Sequence, residues 1–109
     1  NKVQLSGTVP DTLGLEPLAD KWKAFGWQVF ECNGHDVAQL VSAIEQACQA
    51  SGSGPVVVIA HTIKGKGVSF MEDDYKWHGV PPNEDQGKQA LGELAPTELG
   101  DFVMFDWEK

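Results

Sequence analysis

The sequence has few basic residues, few cysteines and no long apolar run. Its 8 basic residues stand against 16 acidic ones, a net charge of −8, which argues against a nucleic-acid-binding surface because such surfaces need positive charge. Cys32 and Cys48 lack the spacing of metal or redox motifs, so free and mostly buried thiols are expected, as in a reducing cytoplasm. No stretch approaches the roughly 20 apolar residues of a membrane-spanning helix, so no membrane insertion is predicted.

The length of 109 residues limits the chain to about one small domain with a single core. The first seven residues, Asn1–Gly7, already form a motif-like stretch, and the sequence does not open with methionine. We therefore expect the chain to be a fragment of a longer protein.

Residues 27–59 follow the pattern of a strand–helix–strand unit. Aromatic and β-branched residues predict a strand over Trp27–Glu31, and Asp36 is a suitable N-cap for the helix that follows. Apolar residues then recur at helical spacing through Ser51: Val37, Leu40, Val41, Ile44, Ala47 and Cys48. The apolar run Val56–Ile59 predicts a strand buried on both faces, which is typical of parallel sheets covered by helices. The predicted fold is therefore α/β, a partial parallel sheet with flanking helices.

Two further helices are expected on either side of this unit. The first opens at Leu15 with Pro17 in its first turn and ends at Gly26. Leu18, Trp22 and Phe25 are expected to share one face of this helix. The last helix begins at Asn83, with Gln86 three residues later as in a capping box. Its buried stripe is expected to contain Ala90, Leu91 and Leu94.

The segment after the last strand, residues 62–80, is a long glycine-containing connection of the kind that is usually functional or disordered. In an α/β fold it lies beyond the carboxyl end of a strand, where ligands bind. Gly65–Gly67 has two interpretations: a phosphate cradle, with Lys64 or Lys66 supplying positive charge, or a tight turn that needs positive φ. The acidic stretch Glu72–Asp74 is interpreted as a solvated loop tip, or alternatively as a gate for substrate entry.

Three histidines are candidates for chemistry. His78 lies between the bulky Trp77 and the permissive Gly79, where its ring could donate a hydrogen bond to a phosphate or to a developing oxyanion. His35 precedes a helix N-terminus, which favours a structural role, while His61 ends a buried strand and fits either role. Their spacing does not match that of a zinc site.

Four blocks of the sequence, in this order, resemble the N-terminal, thiamine diphosphate-binding domain of transketolase, and most of all the separate N-terminal subunit of split transketolases. The blocks are Leu15–Trp27, Asn33–Asp36, His61–Phe70 and Trp77–Gly79. The resemblance is collinear from Asn1 to about Leu94 and implies that residues 1–94 form the second half of a thiamine diphosphate-binding fold. Residues 95–109 match nothing in the family, and their apolar run Phe102–Trp107 predicts a contact surface.

The resemblance implies roles for four residues. Asn1, through its side-chain amide, and Val3, through its backbone carbonyl, would bind the divalent cation that bridges to the cofactor diphosphate, since Mg²⁺ and Ca²⁺ prefer oxygen ligands. Leu5 would line the thiazolium ring of the cofactor. His78 would reach both the diphosphate and the substrate, and would be the catalytic residue of this chain.

The activity implied by the resemblance is that of a transketolase, which transfers a two-carbon ketol unit between sugar phosphates with thiamine diphosphate and Mg²⁺ or Ca²⁺. The family's Gly-Asp-Gly block and the glutamate that activates the cofactor are not in this chain. A C-terminal transketolase domain or subunit is therefore the expected partner, within a homo- or hetero-oligomer. Two alternatives remain: a thiamine enzyme like 1-deoxyxylulose-5-phosphate synthase, and a non-catalytic truncated module that acts through its apolar tail.

Overall fold

A computed structural model describes residues 1–94, and the contact surface predicted over residues 95–109 lies outside this range. Strands and helices follow one another along the described chain as β1 (Val3–Gln4), β2 (Gly7–Thr8), α1 (Val9–Leu13), α2 (Leu18–Ala24), β3 (Gln28–Asn33), α3 (Val37–Ala50), β4 (Val56–His61) and α4 (Glu84–Leu94). Short 3-10 turns cover Ser51–Ser53 and Tyr75–His78. Within residues 1–94, no helix has both the length and the apolar character needed to cross a membrane.

β3, α3 and β4 form the strand–helix–strand unit that the sequence predicts. The two strands pair in parallel, from Gln28 opposite Val56 to Asn33 opposite His61, and α3 packs against both. Asp36 caps α3, because its carboxylate accepts a hydrogen bond from a backbone N–H of the first helical turn at 3.1 Å. The α/β prediction is confirmed, and both strands run past their predicted ends because backbone pairing continues as far as Asn33 and His61.

The two sides of α3 differ in the size of their side chains. The more buried side contains Leu40, Ala43, Ala47 and Ala50, of which Ala43 is only 3% exposed. The outer side contains the exposed Val37, Val41, Ile44 and Cys48. Small alanine side chains let the helix approach the strands closely, so the larger apolar residues lie outside. The predicted helical pattern included apolar residues from both sides. The burial expected for Cys48 is wrong, whereas Cys32 is buried as expected.

α2 packs against β3, but its apolar contact differs from the prediction. Pro17 is the N-cap rather than a first-turn residue. Phe25 follows the last helical residue and is 80% exposed, so it does not extend the packed face of Leu18 and Trp22. The chain reverses at Gly26, which has φ +82°, and Trp27 thereby packs edge-on against Trp22 with ring centroids 4.8 Å apart.

α4 begins with the predicted capping box. Asn83 N–H donates to Gln86 Oε1 at 3.0 Å, and Gln86 N–H donates to Asn83 Oδ1 at 2.9 Å. The buried stripe expected for this helix is wrong in part, since Leu91 and Leu94 are 65% and 54% exposed. Buried apolar residues in the described chain are Cys32, Ala43 and Val68, a small core into which α4 contributes little.

Candidate functional site

A cleft of about 950 Å³ opens between the N-terminal elements and the carboxyl ends of β3 and β4. Its wall includes Asn1 and Val3 from the N-terminal segment, Glu31 from β3, and His61 and Thr62 from the end of β4. The cleft therefore lies at the edge of the parallel strands where α/β proteins bind their ligands.

A turn at the start of the chain brings both predicted metal ligands, Asn1 and Val3, to the cleft wall. Asn1 Oδ1 accepts a hydrogen bond from Val3 N–H at 3.0 Å, and Lys2 between them has φ +57°. The carbonyl of Lys2 accepts from Val9 N–H at 2.8 Å, which ties the turn to α1. An amide oxygen has two lone pairs, so Asn1 Oδ1 retains one acceptor position.

The other two predicted site residues lie outside the lining of the cleft. Leu5 is in the two-residue turn between β1 and β2 and is 68% exposed. His78 is exposed at the end of the Tyr75–His78 turn, which contacts β1. Phe70 packs edge-on against Trp77, with ring centroids 5.2 Å apart, and this contact fixes the turn on the loop that precedes it. The segments of Val3 and His78 are therefore neighbours.

The oxygen atoms at Asn1 and Val3 fit part of a divalent-cation site. Both are neutral, and Mg²⁺ and Ca²⁺ accept side-chain amide and backbone carbonyl oxygens among their six to eight ligands. Within residues 1–94, no three or more His, Cys, Asp or Glu side chains cluster as a metal site would require. Asn1 and Val3 would thus supply only part of the ligand set of a divalent cation.

The Gly65–Gly67 segment forms a tight turn. Gly65 and Gly67 have φ +70° and +93°, the left-handed region that favours glycine. A Cβ atom on Gly65 would lie 2.5 Å from the carbonyl oxygen of Met71, so only glycine allows the turn to close on this backbone. The sequence left two interpretations of this segment open, and the structure matches the tight turn.

Glu72 occupies the position where a bound anion would meet this turn. Its Oε1 accepts from Gly67 N–H at 2.9 Å and lies 3.1 Å from Lys66 Nζ. The Gly67 N–H, followed by Lys66, lowers the pKa of the Glu72 carboxyl. The stretch Glu72–Asp74 is thus partly exposed, as expected for a solvated loop tip, but the Glu72 carboxylate also turns back onto the loop.

Two further side chains, those of His35 and Glu93, fix the loop from outside it. The sequence favoured a structural role for His35 but did not indicate Glu93. His35 Nε2 accepts from Ile63 N–H at 2.7 Å. Both carboxylate oxygens of Glu93 on α4 accept hydrogen bonds from Ser69, one from its N–H and one from its hydroxyl. The Ser69 N–H is the main cause that lowers the pKa of Glu93. These partners are separated by more than 20 residues, so no local pattern reveals them.

His61 has a partner on the neighbouring strand. Its Nε2 lies 2.9 Å from Glu31 Oε2, and both side chains are about half exposed on the wall of the cleft. The parallel register explains the pair, because it brings the ends of β3 and β4 together. Of the three histidines, His61 and His35 thus bond to other parts of the chain, and His78 makes no side-chain hydrogen bond within residues 1–94.

Comparisons with known proteins identify the family of the chain. The family described as "Transketolase, thiamine diphosphate binding domain" matches residues 1–100. The 6-deoxy-6-sulfo-D-fructose transketolase subunit of Clostridium sp. (strain MSTE9) is 45% identical over 94 residues, covering 86% of this chain and 34% of that protein. An apulose-4-phosphate transketolase subunit of Actinobacillus succinogenes is 46% identical over 94 residues, covering 86% of this chain and 33% of that protein.

The fold has a solved counterpart. The crystal structure of transketolase from Campylobacter jejuni superposes with a TM-score of 0.76 at 31% identity, over 85% of this chain and 14% of that one. The chain spans about a third of the length of the two split subunits. The family match, the relatives and the fold agree, and the chain belongs to the transketolase family, with residues 1–100 in its thiamine diphosphate binding domain.

Proposed function

We propose that this chain forms the cation-binding and diphosphate-binding part of a transketolase active site. The observation that best supports the proposal is the contact between β1 and the Tyr75–His78 turn, in a chain that matches the thiamine diphosphate binding domain. This contact makes neighbours of the two segments that contain the proposed site residues, Asn1–Leu5 and Tyr75–His78.

In this proposal the side-chain oxygen of Asn1 and the carbonyl oxygen of Val3 bind Mg²⁺ or Ca²⁺. The hydrogen bond from Val3 N–H holds the Asn1 amide over the same turn, so little ordering is needed before the cation binds. The chain has a net charge of −8 and repels a diphosphate overall. A divalent cation at this turn offsets that repulsion locally.

His78 is the residue proposed to contact both the cofactor diphosphate and the substrate. Its ring is exposed and makes no hydrogen bond within the described residues, so both ring nitrogens are available. The contact of Trp77 with Phe70 holds the turn, while the His78 ring stays free to donate to an anionic oxygen. The exposed Leu5 would be covered by the thiazolium ring of the cofactor.

Lys64, rather than Lys66, is the loop residue that we assign to the diphosphate. Lys66 is paired with Glu72 at 3.1 Å, so its charge is already compensated. Lys64 has no ion-pair partner within residues 1–94. The Lys64 carbonyl accepts from Asp73 N–H at 3.0 Å, which fixes the backbone from which its side chain projects.

The proposed reaction is the transfer of a two-carbon ketol unit between sugar phosphates. Bound thiamine diphosphate supplies the carbon–carbon chemistry of such a reaction. This chain would contribute the cation ligands, the diphosphate contacts and one histidine that orients the substrate. The chain spans about a third of its split-subunit relatives, so the rest of the site would come from other parts of the assembly, including a C-terminal transketolase domain or subunit.

Calorimetry with thiamine diphosphate and Mg²⁺ tests the proposal on the full-length protein assembled with its partner. We expect His78→Ala and Lys64→Ala each to weaken binding by about tenfold or more, because each removes a hydrogen bond to a charged group. Lys76→Ala on the same turn as His78, and Lys88→Ala at an exposed position of α4, are the controls and should change the affinity little. The proposal fails if each variant and its control behave alike.

Two assays separate the proposed activity from its alternatives. Turnover of xylulose 5-phosphate with ribose 5-phosphate supports a transketolase, whereas turnover of pyruvate with glyceraldehyde 3-phosphate supports a 1-deoxyxylulose-5-phosphate synthase. Co-purification with a C-terminal transketolase subunit but no turnover of either pair would favour the non-catalytic module. We expect the isolated 109 residues to bind thiamine diphosphate poorly or not at all, since they supply only part of the cation site.

A further inference from the structure

The turn over Asn33–Asp36 is seated directly on the end of β4. Gly34 N–H donates to the carbonyl of His61 at 2.8 Å, and Asn33 Oδ1 accepts from His35 N–H at 3.0 Å. A Cβ atom on Gly34 would lie 2.5 Å from Thr62 Cγ2. The turn therefore touches the first residue of the 62–80 loop and holds the backbone of His35 in one place.

From this position the His35 ring reaches the loop itself. Its Nε2 is 2.7 Å from Ile63 N–H. A backbone amide can only donate, so Nε2 must accept, and the ring must be neutral with its proton on Nδ1. The imidazole therefore accepts the hydrogen bond from the N–H of Ile63, the residue directly before Lys64.

The carbonyl groups of Ile63 and Lys64 also accept hydrogen bonds, which restrain the loop further. The Ile63 carbonyl accepts from Lys66 N–H at 3.3 Å, and the Lys64 carbonyl accepts from Asp73 N–H at 3.0 Å. With the bond to His35, the backbone on both sides of Lys64 is fixed by hydrogen bonds. The side chain of Lys64 therefore projects from a restrained segment.

We propose that His35 is a positioning residue for the cofactor site: its neutral ring holds Ile63 and so fixes the backbone from which Lys64 reaches the diphosphate. The inference rests on the proposed function. It assigns to His35 no contact with cofactor or substrate, only the hydrogen bond to the Ile63 amide.

The test compares His35→Leu with His35→Gln in the assembled full-length protein. Leucine removes the acceptor, whereas the glutamine side-chain oxygen can accept near the position of Nε2. Hydrogen exchange is measured by mass spectrometry in peptides over residues 61–66, and calorimetry measures the affinity for thiamine diphosphate at saturating Mg²⁺. For leucine we expect about three- to tenfold faster exchange and a similar loss of affinity, as for one lost hydrogen bond, with both restored by glutamine. Unchanged exchange over residues 37–50 verifies that the variants are folded.

The outcomes separate this inference from the proposed function. Unchanged exchange in His35→Leu overturns the role of His35 in holding the loop. Faster exchange with unchanged affinity overturns its role in positioning Lys64. Failure of the wild-type protein to bind thiamine diphosphate overturns the proposed function and the cofactor part of the inference, while the exchange comparison still decides whether His35 holds Ile63.

Discussion

The β3–α3–β4 unit and the 62–80 loop adjoin each other, but different interactions stabilise them. In the unit, the backbone groups of the two strands pair with each other over six residue positions. The backbone N–H and C=O groups of α3 hydrogen-bond to each other within the helix, except at its ends. The first part of the loop has backbone turns, such as those that Lys66 N–H makes with the Ile63 carbonyl and Asp73 N–H with the Lys64 carbonyl. It also uses side-chain acceptors, because the N–H groups of Ile63, Gly67 and Ser69 donate to His35, Glu72 and Glu93.

An irregular loop has no regular ladder of backbone acceptors, so part of its hydrogen bonding near the proposed cofactor site comes from side chains. The order of the loop therefore depends partly on the side chains of His35, Glu72 and Glu93, whereas the unit depends on strand pairing that most substitutions leave intact. We expect the loop to open separately from the unit, and hydrogen exchange of residues 62–80 against residues 28–61 measures this directly.

The largest effect is expected from Gly65→Ala. The residue has φ +70°, and the new Cβ would lie 2.5 Å from the carbonyl oxygen of Met71. Left-handed backbone strain and overpacking together should lower the free energy of loop opening by about 2–4 kcal/mol. Exchange over residues 62–80 should rise sharply, while residues 28–61 keep their protection.

Gly87→Ala is the control for this change. A Cβ at Gly87 on α4 meets no atom within 4 Å, and alanine favours a helix over glycine by up to about 1 kcal/mol. No loss of loop protection is expected. If both glycine substitutions loosen the loop equally, the closure of the turn on Met71 is not what holds it.

Val68→Ala should have the next largest effect. Val68 is 4% exposed and is the buried apolar side chain of the loop among the residues described. Removing two methyl groups should lower the free energy of loop opening by about 1–2 kcal/mol. Val80→Ala, at a position that is 59% exposed, should leave exchange nearly unchanged, and equal effects of the two substitutions would show that the loop lacks an apolar anchor.

The elements that the sequence predicted well are those with local patterns. The cap at Asp36 and the capping box of Asn83 with Gln86 each join residues three positions apart, and the structure has both. The burial errors arise where periodicity alone is ambiguous. α3 has apolar residues on two sides, and only packing against β3 and β4 decides that the alanines rather than Val41 and Ile44 lie inside.

The candidate site was harder to predict from the sequence than the helices and strands. The roles of Asn1, Val3, Leu5 and His78 come from family resemblance, and they stay predictions that the binding experiments must test. The acceptors that order the loop could not be read from the sequence, since His35 and Ile63 are 28 residues apart and Ser69 and Glu93 are 24 apart. Glu72 is closer to its partner Gly67, but its acidic neighbours suggested a solvated tip.

Glu72→Gln should loosen the loop less than either substitution above. Glutamine can still accept from Gly67 N–H, but it loses the charge that pairs with Lys66. For an exposed ion pair, exchange of the Gly67 amide should rise roughly two- to fivefold. Glu45→Gln, at an exposed position of α3 that makes no side-chain hydrogen bond within residues 1–94, is the control and should change nothing in the loop.

The smallest effect is a pH dependence of the loop. The pKa of Glu72 is lowered from its ordinary value of 4.5, first by the Gly67 N–H and then by Lys66. The pKa of Glu93 is lowered from the same value, first by the Ser69 N–H and then by Gln89. A carboxyl whose pKa is lower in the folded protein stabilises the fold above its unfolded pKa, and this stabilisation is lost as the pH falls through the folded pKa.

Loop stability should therefore be constant above about pH 5 and decrease as the pH falls below 4.5. Carboxyl ¹³C NMR should give titration midpoints for Glu72 and Glu93 below 4.5, and the Gly67 amide shift should follow the Glu72 curve. In Glu72→Gln the amide shift of Gly67 should no longer titrate, while that of Ser69 should still do so.

The cap at Asp36, whose pKa is also lowered by the N–H of Gln39, should titrate without disturbing the strand pairing of the unit. A Glu72 midpoint at or above 4.5 would mean that its carboxylate does not hold the turn in solution, and the contrast between loop and unit would then rest on His35 and Glu93 alone.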